Sequence, residues 1–188
     1  MLLIIGLGNP GQEYKNTRHN IGREIVEALA KKLEGPDFHF EKKWNAELSE
    51  VKIGKEKLIL ALPNTFMNKS GNAVAPMARF YKIKPANIFV LHDDADVAFG
   101  RGKLSFGKNS AGHKGVESLI RLLKTKDFWR FRIGIAGKRD VPAEKLVLKK
   151  FTPDELKIVK KILKETVDAL VEVGMEGGDR AMNTYNTN

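Results

Sequence analysis

The sequence predicts an α/β protein, a sheet covered by helices, and three observations carry that reading. Short apolar runs of strand length alternate with segments whose apolar residues recur every three to four positions. Polar stretches rich in glycine and asparagine fall just after the strand candidates, where an α/β sheet gathers its functional loops. The chain has 188 residues, 42% of them hydrophobic, which suits one domain with a sizeable core and excludes a disordered chain.

The elements follow in order. Residues 2–5 are an apolar run that ends in Gly6-Leu7-Gly8-Asn9-Pro10-Gly11, a strand and a tight loop. After the polar residues 12–20, Ile21, Ile25, Val26, Leu29 and Leu33 mark a helix that Gly35-Pro36 ends. Residues 46–53 and 57–62 are strands around Gly54-Lys55, a hairpin. Residues 63–71 read as a loop and 73–81 as a helix, with Pro76 in its first turn or kinking it. Residues 88–91 form a buried strand that ends in His92-Asp93-Asp94-Ala95-Asp96, and residues 100–106 read as a further strand. After a loop at 107–112, Val116, Leu119, Ile120 and Leu123 mark a helix that opens near His113. Residues 129–135 alternate aromatic and aliphatic side chains with Arg130, Arg132 and Gly134, a strand with one polar face. The longest amphipathic helix opens at Thr152-Pro153 and is expected to stop at Gly174, leaving a polar tail at 177–188. There is no internal repeat and no low-complexity tract.

Composition narrows the function classes. The absence of cysteine excludes a disulfide framework, a thiolate metal site and a cysteine nucleophile. No charged leader or apolar stretch of signal or membrane length is present, so a cytoplasmic protein that avoids membranes is expected. A net charge of +10 points to a polyanionic partner, first of all nucleic acid.

Several constellations carry chemistry. Gly6-x-Gly8-x-x-Gly11 matches the dinucleotide fingerprint in form only, because no helix follows at once and no second strand ends in an acid about 20 residues on. His19, just before a helix, is a proton acceptor at neutral pH or a helix-start residue without a role. A run of acids at the end of a buried strand must bind a cation, cap a helix or orient a base. The four histidines and these carboxylates supply ligand types, but no HExxH or comparable spacing organises them, and an Asp that holds a histidine tautomer is the better reading. Asn68, between Met67 and Lys69, binds a carbonyl or a water, or caps the next helix. Lys108, Ser110, Gly112, His113 and Lys114 gather at a helix N-terminus as an anion site, which Lys103, Arg130 and Arg132 extend toward a phosphate track.

Taken together, Gly6-Leu7-Gly8-Asn9-Pro10-Gly11, Tyr14 with Thr17-Arg18-His19-Asn20-x-Gly22, Phe66-Met67-Asn68-x-Ser70-Gly71, His92-Asp93-x-x-Asp96, Ala111-Gly112-His113-x-Gly115, Arg132-Ile133-Gly134-Ile135 and Ala181-Met182-Asn183 resemble the bacterial peptidyl-tRNA hydrolase family, in family order and over nearly the whole chain. The resemblance implies a single α/β domain with a central twisted mixed β-sheet flanked by helices. It implies hydrolysis of the ester between a peptide and the 3′-terminal ribose of tRNA, a step of ribosome rescue in translation. His19 matches the catalytic histidine, Asp93 the residue that orients it, and Asn9 the position that separates N-blocked from free aminoacyl substrates. Tyr14, Phe66 and Asn68 match substrate contacts, Met67 lines the same cleft, and Arg132 matches a basic residue that meets tRNA phosphate. The implied enzyme is a monomer that needs no cofactor or metal. Two positions depart from the family: Lys114 stands where Asn is usual, and Ser105 where a basic residue is common, so that Lys103 or Lys108 has to substitute. The alternatives are a non-catalytic RNA-binding relative of the same fold and a metal-dependent hydrolase built on residues 92–96.

Overall fold

In a computed structural model that describes residues 1–136 and 143–187, the strands are β1 (Leu2–Gly6), β2 (His39–Glu41), β3 (Ala46–Ile53), β4 (Glu56–Pro63), β5 (Ile88–Ala98), β6 (Gly102–Phe106) and β7 (Trp129–Ala136). The helices are α1 (Ile21–Lys32), α2 (Ser70–Phe80), α3 (Lys114–Leu123), the single turn α4 (Ala143–Leu146), α5 (Pro153–Glu176) and α6 (Gly178–Tyr185). The strands form one mixed sheet in the order β2-β3-β4-β1-β5-β7-β6. β1 is central, parallel to β4 and β5, and Ile4 pairs with Leu60 on one side and Phe89 on the other. The β3–β4 hairpin turns at Gly54, whose φ of 58° suits a residue without Cβ.

The central strands are apolar on both faces because both are covered. Ile4, Phe89 and Leu91 join a core with α1, α5 and α6, while Leu3, Ile5, Ile88 and Val90 join another with α2 and α3. α1 follows β1 on one face and α2 follows β4 on the other, so the carboxyl ends of β4, β1 and β5 flank a switch point of the chain. A crevice opens there in such sheets. Among the described residues, no helix is long and apolar enough to cross a membrane.

Five expectations change. β5 does not end at Leu91; it continues through the acids to Ala98, pairing Asp93 with Ile133 and Asp94 with Gly134, with an irregularity after Asp94. α2 begins at Ser70, so Pro76 lies inside the helix rather than in its first turn. α5 runs through Gly174 to Glu176, since that glycine serves close packing: a Cβ there would stand 2.6 Å from Ile53 Cδ1. The polar tail contains α6, which buries only Ala181 and Tyr185, and β2 is a three-residue edge strand that had not been read. Asn188, the end of that expected tail, lies outside the described residues. The polar face of β7 is not solvated, because Arg130 is 1% exposed.

Two close contacts fix how elements pack on the sheet. The side chain of Asn186 exchanges two hydrogen bonds with the backbone of Leu104 (2.8 and 2.9 Å) and so covers the outer edge of β6. Nearer the centre of the sheet, a Cβ on Gly22 would lie 2.2 Å from the Leu91 carbonyl oxygen and 2.9 Å from Leu7 backbone atoms. Gly22→Ala is therefore expected to destabilise the protein by about 1–3 kcal/mol, the range of overpacked cores. A lowered denaturant midpoint at unchanged m value is the reading that checks it.

Candidate active site

Three elements bring chemistry to the crevice. A 3₁₀ turn, Arg18–Asn20, precedes α1 and presents His19. β5 passes beneath it with Asp93, 3% exposed, and the N-cap of α3 supplies His113. His19 Nδ1 lies 2.7 Å and His113 Nε2 3.0 Å from the same oxygen, Asp93 Oδ1. These distances, with one further contact, fix the tautomers. His113 Nδ1 accepts the Val116 N–H at 3.3 Å, so its proton is on Nε2 and is donated to Asp93. His19 likewise donates from Nδ1, which leaves the Nε2 lone pair directed away from the carboxylate. Burial raises the Asp93 carboxyl pKa, but the charge and N–H of His113 and the N–H of His19 outweigh it and hold the group well below the usual carboxylate range.

A third imidazole completes a row. The His92 and His113 ring centroids are 4.6 Å apart, and those of His113 and His19 5.2 Å. His92 is fully buried, its Nδ1 donates to the Asp93 carbonyl at 2.7 Å, and its Nε2 has no partner among the described residues. Burial, and after it the neighbouring His113, pushes its pKa down to about 3, so it stays neutral. His19, Asp93 and His113 are also the one group of metal-ligand types that converges among the described residues, with ligand atoms within 4.8 Å of one another. Two N–H···O bonds already satisfy these atoms, so the convergence needs no cation to explain it.

Around this centre lies a cleft of about 380 Å³ lined by Asn9, His19, Phe66, Met67, Asn68, Asp93, Gly112, Lys114, Val147 and Leu148 among others. Asn9 follows β1, residues 66–68 follow β4, and Gly112 and Lys114 flank the N-cap of α3. Met67 is buried and its backbone N–H donates to Asn9 Oδ1 at 2.8 Å. That bond settles which way the Asn9 amide points: its oxygen is used, and Nδ2 is left as a donor. Phe66 is 57% exposed, and the exposed Asn68 side chain has no hydrogen bond among the described residues. The wall at Val147 is tied to the turn, since the His19 N–H donates to the Val147 carbonyl at 2.9 Å and the Arg18 N–H to that of Lys149 at 3.0 Å.

Four residues expected at the site lie elsewhere. Tyr14 closes a short 3₁₀ turn, where its carbonyl accepts the Thr17 hydroxyl at 2.7 Å, and it does not line the cleft. Lys103 is exposed on the edge strand β6, in register with Arg132. Arg132 donates from Nε to Asp94 Oδ2 at 2.7 Å, which makes an ion pair on the β5–β7 surface rather than a lone cation. Arg130, read as part of a phosphate track, is buried and donates to the Asn109 carbonyl at 2.5 Å. Sequence reasoning had given His113 only a helix-start and anion-site role, and had assigned none to Arg18 or Asn20. Arg18 is buried, donates to the Ile135 carbonyl (2.9 Å) and to both oxygens of Glu155 (2.8 and 2.7 Å), and stacks over Phe151 at 4.6 Å. The sequence signal for these two is their place beside His19 in the motif Thr17-Arg18-His19-Asn20-x-Gly22.

On the far side of Asn9 a second cavity of about 320 Å³ is lined by Arg23, Glu24, Glu27 and several amides. Burial, and after it Glu27, pushes the Glu24 carboxyl up to about 7. Glu24 and His92 act on stability with opposite sign. Between about pH 4.5 and 6.5, their ordinary values, the unfolded chain carries a proton on His92 that the native state lacks, and the native state carries one on Glu24 that the unfolded chain lacks. Acidification through this window lowers stability through His92 and raises it through Glu24. In the native sequence the two contributions oppose each other. Glu24→Gln should uncover a loss of up to about 1.4 kcal/mol per pH unit on acidification, read from denaturant midpoints at each pH.

A family model described as "Peptidyl-tRNA hydrolase" matches residues 3–188. The chain is 42% identical over 190 residues to the peptidyl-tRNA hydrolase of Mycobacterium tuberculosis (strain ATCC 25618 / H37Rv), covering 98% of each chain. It is 42% identical over 188 residues to that of Desulfitobacterium hafniense (strain Y51), covering 99% of this chain and 100% of the other. Among solved structures, the crystal structure of peptidyl-tRNA hydrolase from Acinetobacter baumannii superposes with a TM-score of 0.91 at 32% identity, covering 99% of this chain and 94% of that one.

Proposed function

The chain belongs to the peptidyl-tRNA hydrolase family, and on that premise we propose that it hydrolyses the ester between a peptide and the 3′-terminal ribose of tRNA with His19 as general base. The observation that supports this most directly is the His19–Asp93 hydrogen bond of 2.7 Å, which leaves the opposite ring nitrogen free beside a cleft. In this reading a water in the cleft gives its proton to His19 Nε2 as its oxygen attacks the ester carbonyl carbon. The C–O bond to the ribose then breaks, and the imidazolium returns the proton to the departing 3′ oxygen. The ionised Asp93 stabilises the imidazolium and holds the tautomer. His113 donates to the same Asp93 oxygen, so that oxygen keeps a second N–H donor through the cycle.

The remaining residues fit binding roles. Asn9 presents a donor, because Met67 N–H has taken its oxygen. A donor suits the carbonyl of a blocked amine and mismatches the ammonium of a free aminoacyl group, which needs an acceptor. Asn68 supplies a second amide to the carbonyl or the water, and Phe66 and Met67 supply apolar contact. Gly112 and Lys114 stand at the positive end of α3, suited to the anionic 3′ end. Lys103, Arg132 and Tyr14 do not line the cleft, and in this reading they meet the tRNA beyond its 3′ end. The basic charge explains attraction without sequence readout. The proposed enzyme works in the cytoplasm as a monomer, without a metal or organic cofactor.

The experiment is hydrolysis of N-acetylated against free aminoacyl-tRNA. His19→Ala is expected to keep its fold and lose about 10²–10⁴ in turnover on the blocked substrate, the usual share of a general base. A folded variant with near-native turnover would remove His19 from that role. A second measurement concerns the tRNA body. If Lys103 meets a phosphate, Lys103→Ala makes the log–log dependence of binding on salt shallower by about 0.7–0.9. An unchanged slope places the phosphate track elsewhere.

A further inference from the structure

We infer that Asn20 is a positioning residue for substrate selection, acting through Asn9. The inference rests on Asn9 being the donor that distinguishes blocked from free substrates. The Asn9 backbone N–H donates to Asn20 Oδ1 at 2.9 Å, and Asn20 Nδ2 donates to the Asn9 carbonyl at 2.9 Å. One amide side chain thus satisfies the backbone N–H and C=O of a residue that no strand pairs, in the manner of a one-residue strand. Asn20 is 6% exposed and Asn9 is buried, so water competes poorly for these bonds. The donors and acceptors fix the orientation of both amides: Asn20 offers its oxygen to an N–H and its nitrogen to a C=O, and Asn9 offers its oxygen to Met67.

Three anchors therefore locate Asn9 Nδ2 in the cleft, and two of them belong to Asn20. The third, from Met67, fixes the side-chain torsion but leaves the backbone of the loop unconstrained. The approach also requires Gly8. A Cβ at that position would lie 2.8 Å from Asn20 Oδ1 and 2.5 Å from Arg23 Cδ. Arg23 is anchored by its hydrogen bond to the Pro63 carbonyl (2.7 Å) and Asn20 by its bonds to Asn9, so a Cβ at Gly8 presses on both. Asn20 also adjoins His19 in one 3₁₀ turn. That turn holds the base with one residue and the substrate-reading loop with the next, so base and donor are tied to adjacent residues.

The test compares native protein, Asn20→Ala, Asn20→Asp, Gly8→Ala, Asn9→Ala and the Asn9→Ala/Asn20→Ala double variant on N-acetylated and free aminoacyl-tRNA. Thermal melting of each variant is recorded alongside. Asn20→Ala is expected to lower kcat/KM for the blocked substrate by about 10–100-fold, the scale of a misplacement of about 1 Å, and to narrow the blocked-to-free ratio. The shape of the pH–rate profile should stay native, because the His19–Asp93 pair is untouched. Asn20→Asp keeps the acceptor for the Asn9 N–H and loses the donor, so it should fall between. Gly8→Ala should shift the ratio in the same direction with both amides present, and it serves if Asn20→Ala does not fold. The double variant should be no worse than Asn9→Ala alone, since the two act as a unit. If Asn9→Ala narrows the ratio while folded Asn20 variants keep it, or if the two losses add in full, the positioning role is overturned. If Asn9→Ala itself keeps the native ratio, the reading of Asn9 fails and the role assigned to Asn20 fails with it.

Discussion

A carboxylate withdrawn from water has to be surrounded by donors, and Asp93 meets that demand with two histidines on one oxygen. The demand reaches far into the fold. β5 has to carry the acid past the end of its apolar run, and α3 has to begin where its N-cap histidine can reach back. The turn before α1 has to sit low enough for His19 to complete the pair. Each histidine is then restricted to one tautomer, and only one of them presents a basic nitrogen to the cleft. His92, the third in the row, is kept neutral by burial and adds packing without adding charge.

The 3₁₀ turn at residues 18–20 distributes this restraint in three directions. Arg18 runs inward to the end of β7 and to Glu155, which also accepts the Thr152 N–H in the capping box of α5. His19 faces the carboxylate, and Asn20 faces the loop after β1. A buried arginine is costly unless its charge is paired, and the bidentate carboxylate together with the Phe151 ring provides that pairing. Three consecutive side chains thus join the start of the longest helix, the centre of the sheet and the loop after β1.

Much of the scaffold was legible in the sequence, because β1, β3, β4, β7, α1 and α3 announce themselves by apolar runs or periodic apolar residues. The elements that escaped have physical reasons. Residues 92–98 look like a loop because acids are rare in buried strands; the strand survives because Asp93 and Asp94 find histidine and arginine partners distant in sequence. α6 buries two residues one turn apart, too few to stand out from its polar remainder. Gly174 reads as a helix stop, and only the neighbouring Ile53 reveals why it lies inside a helix. At the site, His19, Asp93 and Asn9 could be picked from motifs. The second histidine on Asp93 could not, because His113 already had a sufficient local explanation as a cap, and sharing a carboxylate is a property of three dimensions.

The central position of β1 has a consequence for how the chain acquires its structure. Its partners lie at residues 58–61 in β4 and 88–91 in β5, more than fifty and more than eighty residues later. During synthesis at about 5–20 residues per second, the first strand waits several seconds for them, since parallel pairing requires long loops to close. α1 follows directly, and Ile21 and Ile25 belong to the same apolar cluster as Ile4, so one face of the strand gains cover early. Leu3 and Ile5 face the other way, toward Ala73, Val74 and Met77 of α2. That face stays uncovered until α2, which ends at Phe80, has been made, so the apolar side of the first strand is exposed to other chains for most of the first half of synthesis.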